Sequence, residues 1–346
     1  MDQHLKYPRP PGGAPSGLWE DVLEIPLALE ATVRERAGID TAVELVSRRA
    51  PERLVVSGNG AAYYVAQVLW LASMMTARPC VEVVAVPSGL LAKGRFAWRP
   101  GDMFVAVSSS GEFRDLVEAI GAGAPQPYIA VTSSPTSSVG RNAAVVAGFK
   151  VLGQRAITHS QVFCGGVATV LSIWAGLSDD HGLSDLVEEL PTLARAAVSD
   201  ASQWSADVLG TLTDLPRSAV TCATGAGWAA AMEAALLLKE VARVPTEGCE
   251  IREAATSGMY ALGPGDLAFT LPSSSRDLLL AEAEEIFTRT GATVLRAPAL
   301  RTALDERVMG VATFPAAAAL AITLARLGSC DPDEPSWATT YYQTAR

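Results

Sequence analysis

The chain repeats itself. Val55-Val56-Ser57-Gly58-Asn59-Gly60-Ala61-Ala62-Tyr63 is echoed 165 residues later by Val220-Thr221-Cys222-Ala223-Thr224-Gly225-Ala226-Gly227-Trp228. Gly101-Asp102-Met103-Phe104-Val105-Ala106-Val107-Ser108-Ser109-Ser110 returns at an offset of 164 as Gly265-Asp266-Leu267-Ala268-Phe269-Thr270-Leu271-Pro272-Ser273-Ser274. Tyr128-Ile129-Ala130-Val131 returns at the same offset, 164, as Ala292-Thr293-Val294-Leu295. Three echoes in one register imply two copies of a single α/β unit whose strands end in small, hydroxyl-rich turns. Ligands of open parallel sheets gather outside the carboxyl ends of the strands, where loops lead into helix N-termini. Both echoed turns are therefore expected as anion sites.

The first copy reads as strands over 54–57, 81–86, 103–108, 128–131 and 144–147, each β-branched or apolar and bounded by turn residues, with helical stretches between. That alternation predicts an α/β chain with a doubly wound parallel sheet in each half. The expected division is a Pro/Gly-rich arm over 1–17, a first domain over 18–185 opening with two helices, and a second over 186–330 led by a connector helix. A polar, aromatic tail over 331–346 is expected to lie over the site.

Of 346 residues, 49% are hydrophobic and 18% charged, which excludes a disordered chain. The net charge of −10 and the lack of any Lys/Arg cluster argue against a nucleic-acid surface. An anionic substrate must then be held by backbone N–H groups and hydroxyls. The five cysteines are scattered without a C-x-x-C pair and fit small buried residues in a reducing compartment. The start Met1-Asp2-Gln3-His4 lacks an apolar signal region, and the longest apolar runs fall short of about 18 residues or carry Gly or Glu233. A cytoplasmic protein without a membrane span is expected. No His/Cys/Asp cluster has metal-ligand spacing, and Gly58-x-Gly60 lacks the third glycine and the ribose-binding acid of a dinucleotide site, so neither metal nor cofactor is predicted.

Several segments resemble the tandem sugar isomerase (SIS) domain family, and most of all the isomerase half of glucosamine-6-phosphate synthase. Glu20-Asp21-Val22-Leu23-Glu24-Ile25-Pro26 is similar to the family's KEIxEQP helix, and Ser108-Ser109-Ser110-Gly111-Glu112 to its SQSGET phosphate loop. Glu233-Ala234-Ala235-Leu236-Leu237-Leu238-Lys239-Glu240 is similar to EGALKLKE, and Glu253-Ala254-Ala255-Thr256-Ser257-Gly258 falls where the family reads GELKHGP. The likeness runs over about residues 18–346, and with nothing but the arm ahead of Leu18 no glutaminase half is expected.

The resemblance implies two tandem SIS domains of flavodoxin-like strand order, a sugar-phosphate ligand, and a homodimer with shared active sites. Its chemistry is aldose–ketose isomerisation or amine exchange at C2. It makes Ser108, Ser109, Ser110 and Gly111 the phosphate cradle and Glu240 the base that moves a proton between C1 and C2. Glu233, seven residues earlier on the same helix side, is a structural or substrate-orienting partner. Phe113 stands where the family has a threonine, so an apolar ring is expected to narrow the cradle, and Gly60 replaces a sugar-contacting serine. The family histidine falls on Thr256 and its C-terminal lysine on Thr340, and a threonine hydroxyl is no base near neutral pH. His159, in Ala156-Ile157-Thr158-His159-Ser160-Gln161 over the sugar loop, is the candidate replacement, with Ser160 beside it as a substrate contact. The alternative is a sugar-phosphate sensor that has lost catalysis.

Overall fold

A computed structural model describes residues 15–299 and 304–334. Helices α1 (Gly17–Leu23), α2 (Ile25–Arg34) and α3 (Ala37–Arg49) come first. Strands and helices then alternate: β1 (Arg53–Ser57), α4 (Ala61–Met74), β2 (Glu82–Ala85), α5 (Ser88–Ala92), β3 (Asp102–Val107), α6 (Arg114–Gly121), β4 (Ile129–Thr132), α7 (Ser138–Arg141), β5 (Val145–Gly148) and α8 (Gln161–Ser178). Helix α9 (His181–Asp207) leads to β6 (Ala219–Ala223), α10 (Trp228–Ala242), β7 (Thr246–Glu250), α11 (Ile251–Thr256), β8 (Leu267–Leu271), α12 (Leu278–Thr290), β9 (Thr293–Arg296) and α13 (Met309–Leu327).

The first sheet has order β2-β1-β3-β4-β5, and the second, among the described residues, β7-β6-β8-β9, with every pairing parallel. The second order matches the first four strands of the first, as the sequence repeat requires, and β5 has no counterpart among the described residues. In each, the order reverses direction between the two central strands, β1/β3 and β6/β8, which is where such sheets bind ligands. The central strands are buried along their whole length, so they read as apolar runs rather than alternating ones.

The residues cluster into two compact units that interleave in sequence. One holds the first sheet and comprises Glu24–Gly153 and His159–Pro191. The other holds the second sheet and takes the described residues up to Leu23, the segment Gln154–Thr158, and those from Thr192 onward. In the first-sheet unit, Phe104, Tyr128, Leu116 and Val139 form a buried core cluster. In the second-sheet unit, Cys222, Ala268, Leu280 and Phe287 do the same. Helices α8 and α13 are longer than the apolar runs suggested, long and apolar enough to cross a bilayer, and both are buried in the fold.

Local signals account for the helix ends. Asp277 caps α12 by accepting the Leu280 amide at 3.1 Å, and Gly291 ends it at φ +84°. Ser137 caps α7 by accepting the Gly140 amide at 3.1 Å. The base of β3 is fixed by a buried ion pair: Arg53 Nε and Nη2 reach Asp102 Oδ1 and Oδ2 at 2.9 and 2.7 Å. Burial works to raise the Asp102 pKa, but the Arg53 side chain and the Arg99 amide outweigh it and hold it below the usual carboxylate value.

Because the folded pKa of Asp102 is depressed, its contribution to stability is full above the unfolded carboxylate pKa and is lost as pH falls through the folded one. Urea midpoints measured from pH 7 down to pH 3 are expected to fall less steeply below about pH 4 in Asp102→Asn than in the wild type. Arg53→Ala, which leaves a buried carboxylate without its cation, is expected to cost about 3 kcal/mol. An unchanged acid limb in the Asn variant would refute this account.

Candidate functional site

In the first-sheet unit the turns after β1 and β3 flank the point where the strand order reverses. Gly60 caps α4 at φ +54°, a conformation that suits glycine. Asn59 Nδ2 donates to Ser88 Oγ at 3.1 Å and ties this turn to α5. Tyr63, in the first turn of α4, has its pKa raised by burial, with a hydrogen bond from Gln67 opposing.

The turn after β3 is the hydroxyl-rich one. Ser108 is buried, and its Oγ accepts the Gly111 amide at 3.0 Å. Ser109 Oγ lies 3.1 Å from Ser133 Oγ, and the Ser109 carbonyl accepts both Thr132 Oγ1 at 3.0 Å and Ser133 Oγ at 3.1 Å. Ser110 Oγ accepts the Glu112 amide at 3.3 Å. Gly111 sits at φ +62°, and a Cβ there would lie 1.9 Å from Ser137 Oγ, so only glycine lets the turn close on α7. Glu112 turns away to accept the Ser138 amide at 2.8 Å; the Ser138 hydroxyl, then that amide, hold its carboxyl below the usual range. The Phe113 ring is half-buried and packs against the core cluster beside the turn. Packing of the following helix claims the ring.

Two more hydroxyls of this unit, Ser57 Oγ at the end of β1 and Ser160 Oγ at the start of α8, are buried and find no hydrogen-bond partner among the described residues. His159 is half-buried just ahead of Ser160. Gln161, where the family has lysine, is buried and accepts the Leu152 amide at 2.8 Å.

The second-sheet unit carries the carboxylates. Glu240 lies in the last turn of α10 with its side chain open to solvent. Even so, protein fills enough of the space around the carboxyl that loss of hydration dominates, and its pKa is pushed up to about 7, with Lys239 and a hydrogen bond to the Thr158 side chain pulling the other way. Because water still reaches the side chain, the direction of that shift carries the argument. Glu233 lies two turns earlier on the same helix side, is 2% exposed, and its Oε2 finds no partner among the described residues. Burial, then the nearby Glu240, raise its pKa well above the usual carboxylate value. The buried Leu237 occupies the turn between them. Thr256 is exposed, and its hydroxyl donates to the Arg252 carbonyl at 2.8 Å. Thr340 lies outside the described residues.

Thr158 was missed by the sequence reading. Nothing in its neighbours marks it, because its partner is 82 positions away on another element.

The second copy of the turn overturns the expectation of two anion sites. After β6, the Ala226 amide donates to Glu306 Oε2 at 3.0 Å and the Gly225 amide to Glu250 Oε1 at 3.5 Å. Asp277 Oδ2 takes the Thr224 and Ser273 hydroxyls at 3.1 and 3.0 Å. The chain's own carboxylates hold the groups that an anion needs and repel it. Burial raises the Glu306 pKa, the Ala226 amide opposes, and Asp277, Asp305 and Glu250 raise it further.

The solved structures decide the fold. The chain superposes on the C-terminal domain of glucosamine-fructose-6-phosphate aminotransferase from Francisella tularensis with a TM-score of 0.78 at 19% identity, covering 93% of this chain and 99% of that one. This chain has the tandem SIS fold. A structure of glucosamine-6-phosphate deaminase from Thermotoga maritima gives a TM-score of 0.72 at 15% identity, over 93% of this chain and 98% of that one. In sequence, the SIS fold here is similar to glutamine–fructose-6-phosphate aminotransferase (isomerizing) of Pyrobaculum aerophilum, 26% identical over 246 residues. That match takes in 68% of this chain and 40% of the relative, so the chain spans less than half the relative's length. No protein-family model matches the chain.

The turn after β3 gives a direct test. Gly111→Ala is expected to weaken binding of inorganic phosphate and glucosamine 6-phosphate by about tenfold, about 1.4 kcal/mol, in calorimetric titration. An unchanged affinity in a folded variant would show that the turn does not hold the phosphoryl group.

Proposed function

We propose that the protein processes a hexose-6-phosphate-like sugar phosphate, either interconverting aldose and ketose or acting as an aminosugar-phosphate deaminase or deglycase. Glu240 is the observation that carries this reading: a water-accessible carboxylate poised near neutral pH, with a hydroxyl against it and a buried carboxyl of raised pKa two turns away. As a general base, its carboxylate takes the proton from the carbon next to the carbonyl, giving an enediol or enolamine, and the resulting acid returns that proton to the neighbouring carbon. Ser108, Ser109, Ser110 and Gly111 hold the phosphoryl oxygens, with Gly60 and Ser160 as sugar contacts and the buried Glu233 orienting the reacting end.

His159 serves as the acid/base for ring opening. The Thr256 hydroxyl is committed to its own helix, which favours a substrate that is open-chain or opens readily. The same observation favours the second reading, a sugar-phosphate sensor without turnover. The proposal includes a cytoplasmic homodimer with shared active sites and the division into domains over 18–185 and 186–330.

In D2O with fructose 6-phosphate or glucosamine 6-phosphate, NMR is expected to show deuterium entering at C1 or C2. Glu240→Gln should slow that exchange by at least about 100-fold. Since the base acts unprotonated, the wild-type rate should fall as pH drops below about 7. Saturable binding without exchange would establish the sensor instead. His159→Ala is expected to slow turnover of ring-closed sugars while sparing exchange on open-chain ones; undiminished turnover would remove it from the site.

A further inference from the structure

Between β5 and α8 the chain crosses residues 154–158 as an irregular strap within the second-sheet unit. No ladder holds it. Carboxylates and one carbonyl do. Asp21 of α1, 1% exposed, accepts the Arg155 amide at 2.7 Å and the Ala156 amide at 3.1 Å on Oδ2, and Arg155 Nη1 at 2.8 Å on Oδ1. Arg155 Nε also reaches Glu20 at 3.0 Å. The Ile157 amide donates to the Asp333 carbonyl at 2.8 Å, and the Asp333 carboxylate accepts the Gly17 and Leu18 amides at 2.7 and 2.8 Å at the start of α1. A Cβ on Gly17 would lie 2.8 Å from Arg155 Cβ, so helix and strap meet closely. The strap ends in Thr158, which is buried and hydrogen-bonded to Glu240.

We propose that Asp21 is a positioning residue for proton transfer at Glu240, holding the strap 154–158 on α1 so that the Thr158 hydroxyl meets the Glu240 carboxylate. The inference rests on the reading of Glu240 as the base. One buried carboxylate fixes two consecutive amides and the side chain between them, which removes the backbone freedom an irregular segment would otherwise keep. The strap's far end then has a single place to go. A hydroxyl that donates to a carboxylate favours its charged form. The charged groups on elements packed against α10 are Arg326 of α13 and Glu247 and Glu250 of β7. Among the described groups, burial acts most strongly on the Glu240 carboxyl, with Lys239 and the Thr158 hydroxyl opposing it.

The test reads Glu240 directly, by 13C carboxyl titration of the full chain labelled at glutamate, with Glu240→Gln assigning the resonance. Thr158→Val is expected to move the midpoint up by about one pH unit, and Thr158→Ser to leave it in place. Asp21→Asn should move it in the same direction, and the double variant Asp21→Asn/Thr158→Val no further than Thr158→Val alone. A midpoint that stays put in Thr158→Val, or in a folded Asp21→Asn variant, overturns the proposal. If Asp21→Asn does not fold, amide hydrogen exchange of the wild type decides: the Arg155 and Ala156 amides should be protected, and exchange at the rate of an unstructured peptide overturns the idea. Deuterium exchange into sugars is a separate readout. Were it absent while the midpoints moved as stated, the enzyme reading would fail and the positioning would stand.

Discussion

Both sheets depend on a glycine–aspartate turn at the base of the strand beside the first. Gly101 at φ +90° and Gly265 at φ +87° turn the chain into β3 and β8. The aspartate that follows accepts the amide three residues back, Arg99 for Asp102 at 2.7 Å and Gly263 for Asp266 at 2.9 Å. Each is also bound by an arginine, Arg53 or Arg217. This fixes which residue opens the strand. Side chains alternate along a strand, so a slip of one residue would send the core side chains to the opposite face. The position of the base therefore also fixes where the strand ends, and with it the turns at 108–111 and 272–275.

From that shared geometry the two copies diverge in chemistry. The turn after β3 faces hydroxyls from Thr132, Ser133 and Ser137; in the second unit Asp277 takes the Ser273 hydroxyl after β8, and Glu250 and Glu306 take amides of the turn after β6. A backbone amide at the end of a parallel strand is satisfied equally well by an external anion or by a carboxylate of the chain. In the second copy the carboxylate comes from the segment just ahead of α13, so the interaction that excludes an external anion also anchors that helix's start. Duplication preserved the backbone while the side chains around the turns diverged.

What the sequence disclosed follows the range of each interaction. The strands were legible because β-branched and apolar runs between turn residues report burial on both faces, a local property. Glu240 and the serine turn were singled out because their motifs are contiguous. Thr158 and Asp21 were not, since the Asp21 carboxylate meets amides 134 and 135 positions away and nothing near either partner marks the pairing. The acid-filled second turn was hidden for the same reason, with Glu306 lying 80 positions from Ala226. The interleaving of the two units was equally illegible, because α1 and the strap are too short to carry a compositional signature of their own.

The carboxylates of α10 show how one helix can set two acids apart. Glu233 and Glu240 share a side, with the apolar Leu237 in the turn between. Glu233 is buried without a partner for Oε2, and burial alone favours its neutral form. Glu240 meets the same penalty near the helix end, but Lys239 and the Thr158 hydroxyl offset part of it and hold the group near neutrality. Burial favours the neutral form of both acids, and at Glu240 the strap's hydroxyl opposes it. The strap's anchorage on α1 is thus a chemical constraint as well as a structural one.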